Sequence, residues 1–291
     1  MRNAVYRFSK IYEMAGFDQA AGEMGRAIPY MLDERIEKFR RYGFNVKGWV
    51  LDVGTGVGID ILALNKIGLA CKFVGIDFSR KSLLVAKKKL SEVGVDFHLV
   101  RADCCFLPFN DGVFDGITTN NVVHHHPLDG LKQIFGEFKR VMRNDAVLLM
   151  NEPCIEKEEC GVFNEMENFL RFLWSSEELL SSIPENLRKY LYVALPIFEY
   201  GGVFYPSIIR RLLNSLDFQI EKLEQTFPEV SQKWIFHEIE NAIKHLKLKN
   251  EEKELLLNKI EEFKEKIRIV KAFKSSMLIV KARKPKLDES F

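Results

Sequence analysis

Short apolar runs alternate with helix-like segments between residues 48 and 153, and this alternation constrains the fold more than any other feature of the sequence. The runs are 49–53, 73–77, 97–100, 114–118 and 146–150. Strands of a parallel sheet are buried on both faces, so they read as short continuous apolar runs joined by crossover helices. The pattern therefore predicts an α/β fold with a parallel sheet and helices on both of its faces.

Helical periodicity fills most of the chain outside these runs. It predicts helices at 30–41, 58–67, 82–93 and 131–142, a helix from Pro206 to 216, and a helix that begins at Asn250 and continues to 270. Two more strand-like runs lie at 218–223 and 276–282. A turn at Asn144–Asp145 is predicted before the fifth strand, because both residue types tolerate left-handed backbone.

Composition limits the class of protein. The chain has 291 residues, is 47% hydrophobic, and carries 43 basic against 41 acidic residues, so it is neither a disordered chain nor a polyanion-binding protein by charge alone. No segment predicts a membrane span, and the N-terminus lacks the apolar stretch of a secretory signal. Five scattered cysteines suit a reducing compartment, so a cytoplasmic location is expected.

The first strand runs into a glycine-rich loop, where ligands of open α/β sheets bind. Its residues are Asp52, Gly54, Thr55, Gly56 and Gly58, with valines between them. The third glycine comes one residue too early for a dinucleotide fingerprint. An acid two residues before the first glycine repels a pyrophosphate but suits an ammonium group. The loop therefore favours a nucleoside that carries an amino acid, with a purely structural turn as the alternative.

Polar residues also follow the next three strands. Asp77 can accept the hydroxyls of a ribose, or cap the helix that begins near Ser79. Asp103 can take the exocyclic amine of an adenine with Cys104 beside it, or cap a turn. Asn120 ends the fourth strand, where it can face the same ligand.

Four such strand ends in this order resemble the class I S-adenosylmethionine-dependent methyltransferases, of the group similar to the ubiquinone- and menaquinone-pathway enzymes. The matching stretches are 51–58, 75–79, 102–103, 107–109 and 114–115, extended by 122–125 and 138–141. The resemblance implies a Rossmann-like three-layer sandwich with a mainly parallel seven-stranded sheet, an antiparallel last strand and helical cap insertions.

The resemblance also implies S-adenosylmethionine as the cofactor and gives roles to the matching residues. The methionine moiety would be held by Asp52 and by the loop of Gly54, Thr55, Gly56 and Gly58. Asp77 would bind the ribose, and the adenine would contact Phe78, Asp103 and Cys104. Asn120 would lie near the sulfonium. From position alone, Tyr6, Tyr12 or Arg26 of the N-terminal segment could complete the pocket.

Methyl transfer from a sulfonium is an in-line displacement that needs a general base only when the acceptor must lose a proton. The candidate bases are His124, His125 and Glu152, and packing or capping is the alternative role of the histidines. No metal site is predicted, because three consecutive histidines do not share one face of a helix.

The segments that lie outside the stretches matching the family indicate the class of methyl acceptor. We predict an N-terminal helical segment at 1–47 and a core at 48–291, with helical insertions at about 154–205 and 226–272. Ten aromatic residues lie between 163 and 205, which indicates a lid over a small apolar or aromatic methyl acceptor. The alternative is the core of a helical cap or the face of a homodimer.

Two other functions compete with small-molecule methylation. One is an RNA methyltransferase, for example of tRNA; the other is a catalytically inactive S-adenosylmethionine-binding partner subunit. The net charge of +2 argues against nucleic acid, as do the glutamates that offset the lysines of the helix at 250–270.

Overall fold

The strand-like runs form one seven-stranded sheet in the structure, which is a computed structural model. The strand order is β3-β2-β1-β4-β5-β7-β6. The bounds are β1 Gly48–Val53, β2 Cys71–Asp77, β3 Phe97–Arg101, β4 Phe114–Asn120, β5 Met142–Pro153, β6 Gln219–Thr226 and β7 Met277–Arg283. Strands β1 to β5 pair in parallel, and β7 runs antiparallel. The predicted α/β class and the mainly parallel seven-stranded sheet are confirmed.

The structure describes part of the chain. That part comprises residues 21, 22, 25, 28, 29, 31–126, 128–154, 206–226, 240, 243, 244, 248–270 and 277–286. The aromatic residues at 163–205 and the tyrosines and arginine named in the N-terminal segment lie outside it. Within these ranges, no helix combines the length and apolar composition that a membrane crossing needs.

The helices agree with the predicted bounds to within three residues. They are α1 at 31–41, α2 Ile59–Ile67, α3 Arg80–Glu92, α4 Leu128–Val141, α5 Pro206–Ser215 and α6 Asn250–Val270, with a short 3-10 helix at Val123–His125. Ser79 caps α3, because its side-chain oxygen accepts a hydrogen bond from the backbone N–H of Ser82 at 3.0 Å.

The chain divides into two compact units. One contains residues 1–152, 207–224 and 278–291, and the other contains 153–206 and 225–277. Helix α6 belongs to the second unit, where Ile260 is buried. The predicted core and its two insertions stay predictions.

Helix α1 belongs to the hydrophobic core of the first unit. Phe39 of α1 and Phe44 just after it are buried in one cluster with Val50 of β1 and Leu64 of α2. Burying side chains of this size stabilises a fold by about 2 kcal/mol each. The segment before β1 is therefore fixed against the sheet, which also fixes the other side chains of α1.

The start of β5 differs from the prediction. The sequence places the end of the preceding helix at 142 and a turn at Asn144–Asp145, whereas α4 ends at Val141 and β5 already begins at Met142. Met142 pairs with Phe114, and the register then shifts before Val147. Asp145 takes the left-handed backbone, with φ of 65°, and donates its N–H to the carbonyl of Lys284 at 2.8 Å. The residues expected to form a turn are therefore part of a bulged strand, because they pair with β4 and with Lys284.

The strand order reverses between β1 and β4. In open α/β sheets, ligands bind at the carboxyl ends of the strands at such a reversal. The loops that follow β1 and β4 therefore define the place at which a ligand of this fold is expected.

Candidate functional site

The glycine-rich loop after β1 forms a cradle at this reversal. Gly54 and Gly56 have φ of 67° and 53°, which L side chains rarely adopt. A Cβ at Gly54 would lie 2.1 Å from Cγ2 of Val122 in the loop after β4. A Cβ at Gly56 would instead meet one atom within 4 Å, the carbonyl oxygen of Gly54 at 3.9 Å. The loop therefore packs tightly on one side and leaves room on the other, as close approach of a ligand requires.

Asp77 joins the loop after β1 to the loop after β2. One carboxylate oxygen accepts the N–H of Gly56 at 2.8 Å, and the other accepts the N–H of Ser79 at 2.7 Å. The helix cap is Ser79, so the alternative role of Asp77 as the cap does not apply. Asp77 and the neighbouring Phe78 are half-buried and hence lie partly open to solvent beside the cradle.

Asp52 lies buried beneath the cradle. Its carboxylate accepts a hydrogen bond from the hydroxyl of Thr55 at 2.6 Å, and Asp60 of α2 is buried nearby. Burial, followed by the negative charge of Asp60, raises the pKa of Asp52 well above its usual value. Burial acts the same way on Asp60, but the positive charges of Lys38 and Arg35, together with side-chain hydrogen bonds from Asn120 and Thr118, outweigh it and lower its pKa.

Arg35 and Lys38 bring these positive charges from α1 and are themselves buried. Nη1 of Arg35 lies 3.7 Å from an oxygen of Asp60, and its Nε and Nη1 atoms have no hydrogen-bond partner among the described residues. Buried donors are normally paired, so a buried guanidinium with two donors unpaired among the described residues is a candidate partner for an acidic group.

Neither cation was among the predicted site residues. Met31, Ile36 and Phe39 predict the apolar face of α1. Arg35 stands one helical turn after Met31, and Lys38 adjoins Phe39, so both lie on or beside that face. A charged residue on an apolar face was the signal that could have identified them.

The loops after β3 and β4 supply the other predicted residues. Asp103 is half-buried and accepts the N–H of Cys105 at 3.0 Å, while Cys104 is buried. Asn120 accepts a hydrogen bond from the side-chain amide of Asn151 at 2.9 Å. The structure thus places all predicted cofactor residues in the loops or strand ends at one edge of the sheet, as the parallel pairing requires.

Glu152 and His124 form a buried pair at the end of β5. Glu152 is fully buried, and one of its oxygens lies 2.8 Å from Nδ1 of His124. Both oxygens also accept backbone N–H groups of the loop after β4, from Val122 at 3.0 Å, Val123 at 3.2 Å and His124 at 3.4 Å. Burial raises the pKa of Glu152 to about 7, and burial lowers that of His124 to about 3.

His125 differs from these two residues in exposure. It is half-buried, and its ring centroid lies 3.9 Å from that of His124. The structure therefore brings all three candidate bases together, with Glu152 holding the loop that carries both histidines. Their catalytic roles stay predictions.

Removing the Glu152 carboxylate should release this loop. We expect Glu152→Ala to lower the free energy of unfolding by about 3 kcal/mol, because three backbone N–H groups lose their buried acceptor. Glu152→Gln, which keeps the shape and one acceptor oxygen, should cost less. Urea unfolding measures both, with Glu92→Ala on the surface of α3 as the control. Equal stability of all three variants would contradict the anchoring role.

Lys38 should make stability depend on alkaline pH. Burial lowers its pKa from 10.5 to about 8, against the opposing effect of Asp60. The buried ammonium therefore costs stability below pH 8, and that cost disappears as the pH rises to 10.5. Relative to Lys38→Met, the wild type should gain up to about 3 kcal/mol of unfolding free energy across this range.

Urea unfolding of wild type and Lys38→Met at several pH values between 8 and 10.5 measures this gain. Lys47→Met, which removes an exposed lysine, is the matched control. A difference between wild type and Lys38→Met that stays constant with pH would show that Lys38 is not buried as an ammonium.

Comparison with known proteins gives this geometry a family. A family described as a methyltransferase domain matches residues 50–145, which run from β1 into β5. The chain is 24% identical over 185 residues to the protein-lysine N-methyltransferase EFM4 of Saccharomyces cerevisiae, covering 60% of this chain and 72% of that protein. It is 32% identical over 133 residues to the ubiquinone/menaquinone biosynthesis C-methyltransferase UbiE of Desulfotalea psychrophila, covering 44% of this chain and 52% of that protein.

A solved structure shares the fold. Phosphoethanolamine N-methyltransferase 2 of Haemonchus contortus, solved with S-adenosylhomocysteine and phosphomonomethylethanolamine, superposes with a TM-score of 0.56 at 16% identity. The match covers 87% of this chain and 53% of that one, so the chain spans about half the length of this protein and of the Desulfotalea enzyme.

The cradle and the buried cation Arg35 beside it fit a nucleoside that carries an amino acid, and S-adenosylmethionine is the cofactor of the matching family. The sheet order, the strand-end loops and the match over residues 50–145 together identify the chain as the bearer of a class I S-adenosylmethionine-dependent methyltransferase domain.

Proposed function

We propose that this chain methylates a small, apolar or aromatic molecule by in-line transfer from S-adenosylmethionine. The main support is the neutral state of two rings, His124 and His125, in the loop after β4, where an acceptor would approach the cofactor. Burial lowers the pKa of both His124 and His125, so both rings are neutral at pH 7. Two neutral rings suit a neutral acceptor better than a phosphate backbone, which binds lysines and arginines.

The sequence and a relative support the same class of acceptor. The aromatic residues at 163–205 suit a lid that excludes water from an apolar pocket. The Desulfotalea relative is a C-methyltransferase of quinone biosynthesis. A protein acceptor is the second candidate, because the Saccharomyces relative is a protein-lysine methyltransferase.

At the cofactor site, Arg35 takes the carboxylate of the methionine moiety through its guanidinium. Asp52 lies on the side of the ammonium group, with the backbone of Gly54, Thr55, Gly56 and Gly58 against the methionine chain. Asp77 takes the ribose, Phe78 with Asp103 and Cys104 takes the adenine, and Asn120 lies toward the sulfonium. These assignments follow from the placement of each group at the edge of the sheet.

When bound, S-adenosylmethionine supplies a methyl group on a positively charged sulfur. The residues of this chain contribute mainly alignment, because an in-line displacement depends on the approach of the two reacting atoms. Glu152 contributes by fixing the backbone of the loop that carries His124 and His125. His125 is the base candidate with more exposure, since His124 is bonded to Glu152.

Arg35 provides the direct test of the cofactor site. Arg35→Met should weaken S-adenosylmethionine binding by about tenfold or more, because a charge-assisted hydrogen bond to a carboxylate is lost. Arg40→Met, which removes an exposed arginine from the same helix, should bind as wild type does. Isothermal titration calorimetry measures both, and thermal melting confirms folding. Equal affinity of the two variants would exclude Arg35 from the site.

The class of acceptor needs a separate experiment. Cell extract is incubated with the protein and cofactor carrying a labelled methyl group, and is then separated into small molecules, RNA and protein. We expect label in the organic-soluble small molecules, and none when Gly54→Val replaces the wild type, because a side chain there collides with Val122. Label only in RNA or only in protein would overturn the proposed acceptor, and no label with intact cofactor binding would favour a partner subunit.

A further inference from the structure

A cluster of two thiols and one imidazole lies beside the predicted adenine side of the site. Cys104 and Cys105 follow β3, and His126 follows the 3-10 helix after β4. Sγ of Cys104 lies 3.3 Å from Nε2 of His126, and Sγ of Cys105 lies 3.7 Å from Nδ1 of the same ring. One sulfur from each cysteine and one nitrogen from the ring all lie within 4.8 Å of one another.

The backbone on the cysteine side is held by several hydrogen bonds. The N–H of Cys105 donates to the Asp103 side chain at 3.0 Å, and its carbonyl accepts from Nε2 of Gln133 at 3.2 Å. The next turn is tied to α4, because the N–H of Leu107 donates to Glu137 at 2.7 Å. Two ligand atoms are therefore presented by a loop that is already in place.

The histidine side is equally constrained. The N–H of His126 donates to the carbonyl of Val123 at 3.1 Å, which closes the 3-10 helix. Val123 in turn donates its own N–H to the buried Glu152 at 3.2 Å. The third ligand atom therefore depends on the same anchored loop that carries the base candidates.

One of these distances already matches the needs of a small soft metal ion. A tetrahedral Zn²⁺ with Zn–S bonds of about 2.3 Å and a Zn–N bond of about 2.0 Å holds each sulfur about 3.5 Å from the ligating nitrogen. Sγ of Cys104 lies at about this distance from Nε2 of His126, whereas Cys105 lies against Nδ1, so its side chain must turn toward Nε2 when all three groups bind one ion. Thiolates with one imidazole select thiophilic ions over Mg²⁺ or Ca²⁺, which prefer oxygen. All three residues are buried, with exposed fractions of 8%, 4% and 9%, so the surroundings favour direct protein ligands over a hydration shell.

We propose that Cys104, Cys105 and His126 bind a thiophilic divalent metal ion of the Zn²⁺ type. Coordination forms two metal–sulfur bonds and one metal–nitrogen bond, and each thiol gives its proton to the solvent. The imidazole binds through one nitrogen and keeps its proton on the other. These three side chains leave a fourth position of the tetrahedron to water or another small ligand.

This site goes beyond the methyltransferase function. No metal site was predicted from the sequence, because the three consecutive histidines do not share one face of a helix. The cluster instead takes one histidine from that run and joins it to cysteines more than twenty residues earlier, a pairing that only the fold brings about.

The test uses Co²⁺ as a spectroscopic probe and Zn²⁺ as the competing ion. Chelator-treated, reduced protein is titrated with Co²⁺ and should take up one equivalent with the charge-transfer absorption of a cobalt thiolate. Zn²⁺ should displace it. Cys104→Ser and Cys105→Ser should each reduce that absorption and weaken Zn²⁺ binding by about tenfold or more.

Cys71→Ser is the matched control, because Cys71 begins β2 at the opposite edge of the sheet. It should bind both ions as wild type does. Thermal melting with and without Zn²⁺ gives a second readout, since an ion that binds only the native state raises the melting temperature. Wild type and Cys71→Ser should show this rise, and His126→Gln should show less of it.

Three outcomes would overturn the proposal. They are a wild type without cobalt–thiolate absorption, a Cys104→Ser/Cys105→Ser double variant that binds Zn²⁺ as tightly as wild type, and an equal loss of binding in Cys71→Ser. None of these readouts requires the cofactor or a methyl acceptor, so the result is independent of the proposed function.

Discussion

Two carboxylates and two cations are buried together at the carboxyl end of β1, and the cofactor site depends on how their charges balance. Asp52 and Asp60 repel each other, and burial disfavours the charge of both. Arg35 and Lys38 of α1 offset that cost, although burial also lowers the pKa of Lys38. Two donors of Arg35 have no hydrogen-bond partner among the described residues, which is why the proposed function assigns the cofactor carboxylate to this side chain. Helix α1 must therefore dock on the sheet before the site is complete.

A second buried carboxylate organises the acceptor side. Glu152 lies at the end of β5 and binds three successive backbone N–H groups after β4. It thereby fixes Val122, which packs against Gly54, and His126, which completes the thiol cluster. One side chain at a strand end thus connects the cradle, the histidines and the proposed metal site.

The sequence predicted the structure well where the same few consecutive residues both form a turn and present the binding groups. The loop at 54–58, Asp77 and the parallel strands could be predicted because local spacing determines both the turn and the groups it presents. Arg35 could not, because its partner Asp60 lies 25 residues later and a charged helical residue normally faces solvent. The early start of β5 was missed for the same reason, since Met142 becomes a strand residue only by pairing with Phe114.

Asp77 shows what the internal hydrogen bonds of the site accomplish. Its two oxygens hold the loops after β1 and β2 together through Gly56 and Ser79. A ribose that binds to the Asp77 carboxylate would therefore meet two loops that are already ordered. The two loops thus lose their conformational entropy during folding and not on binding. We therefore expect the nucleoside to associate about as fast as a ligand associates with a rigid, preformed pocket.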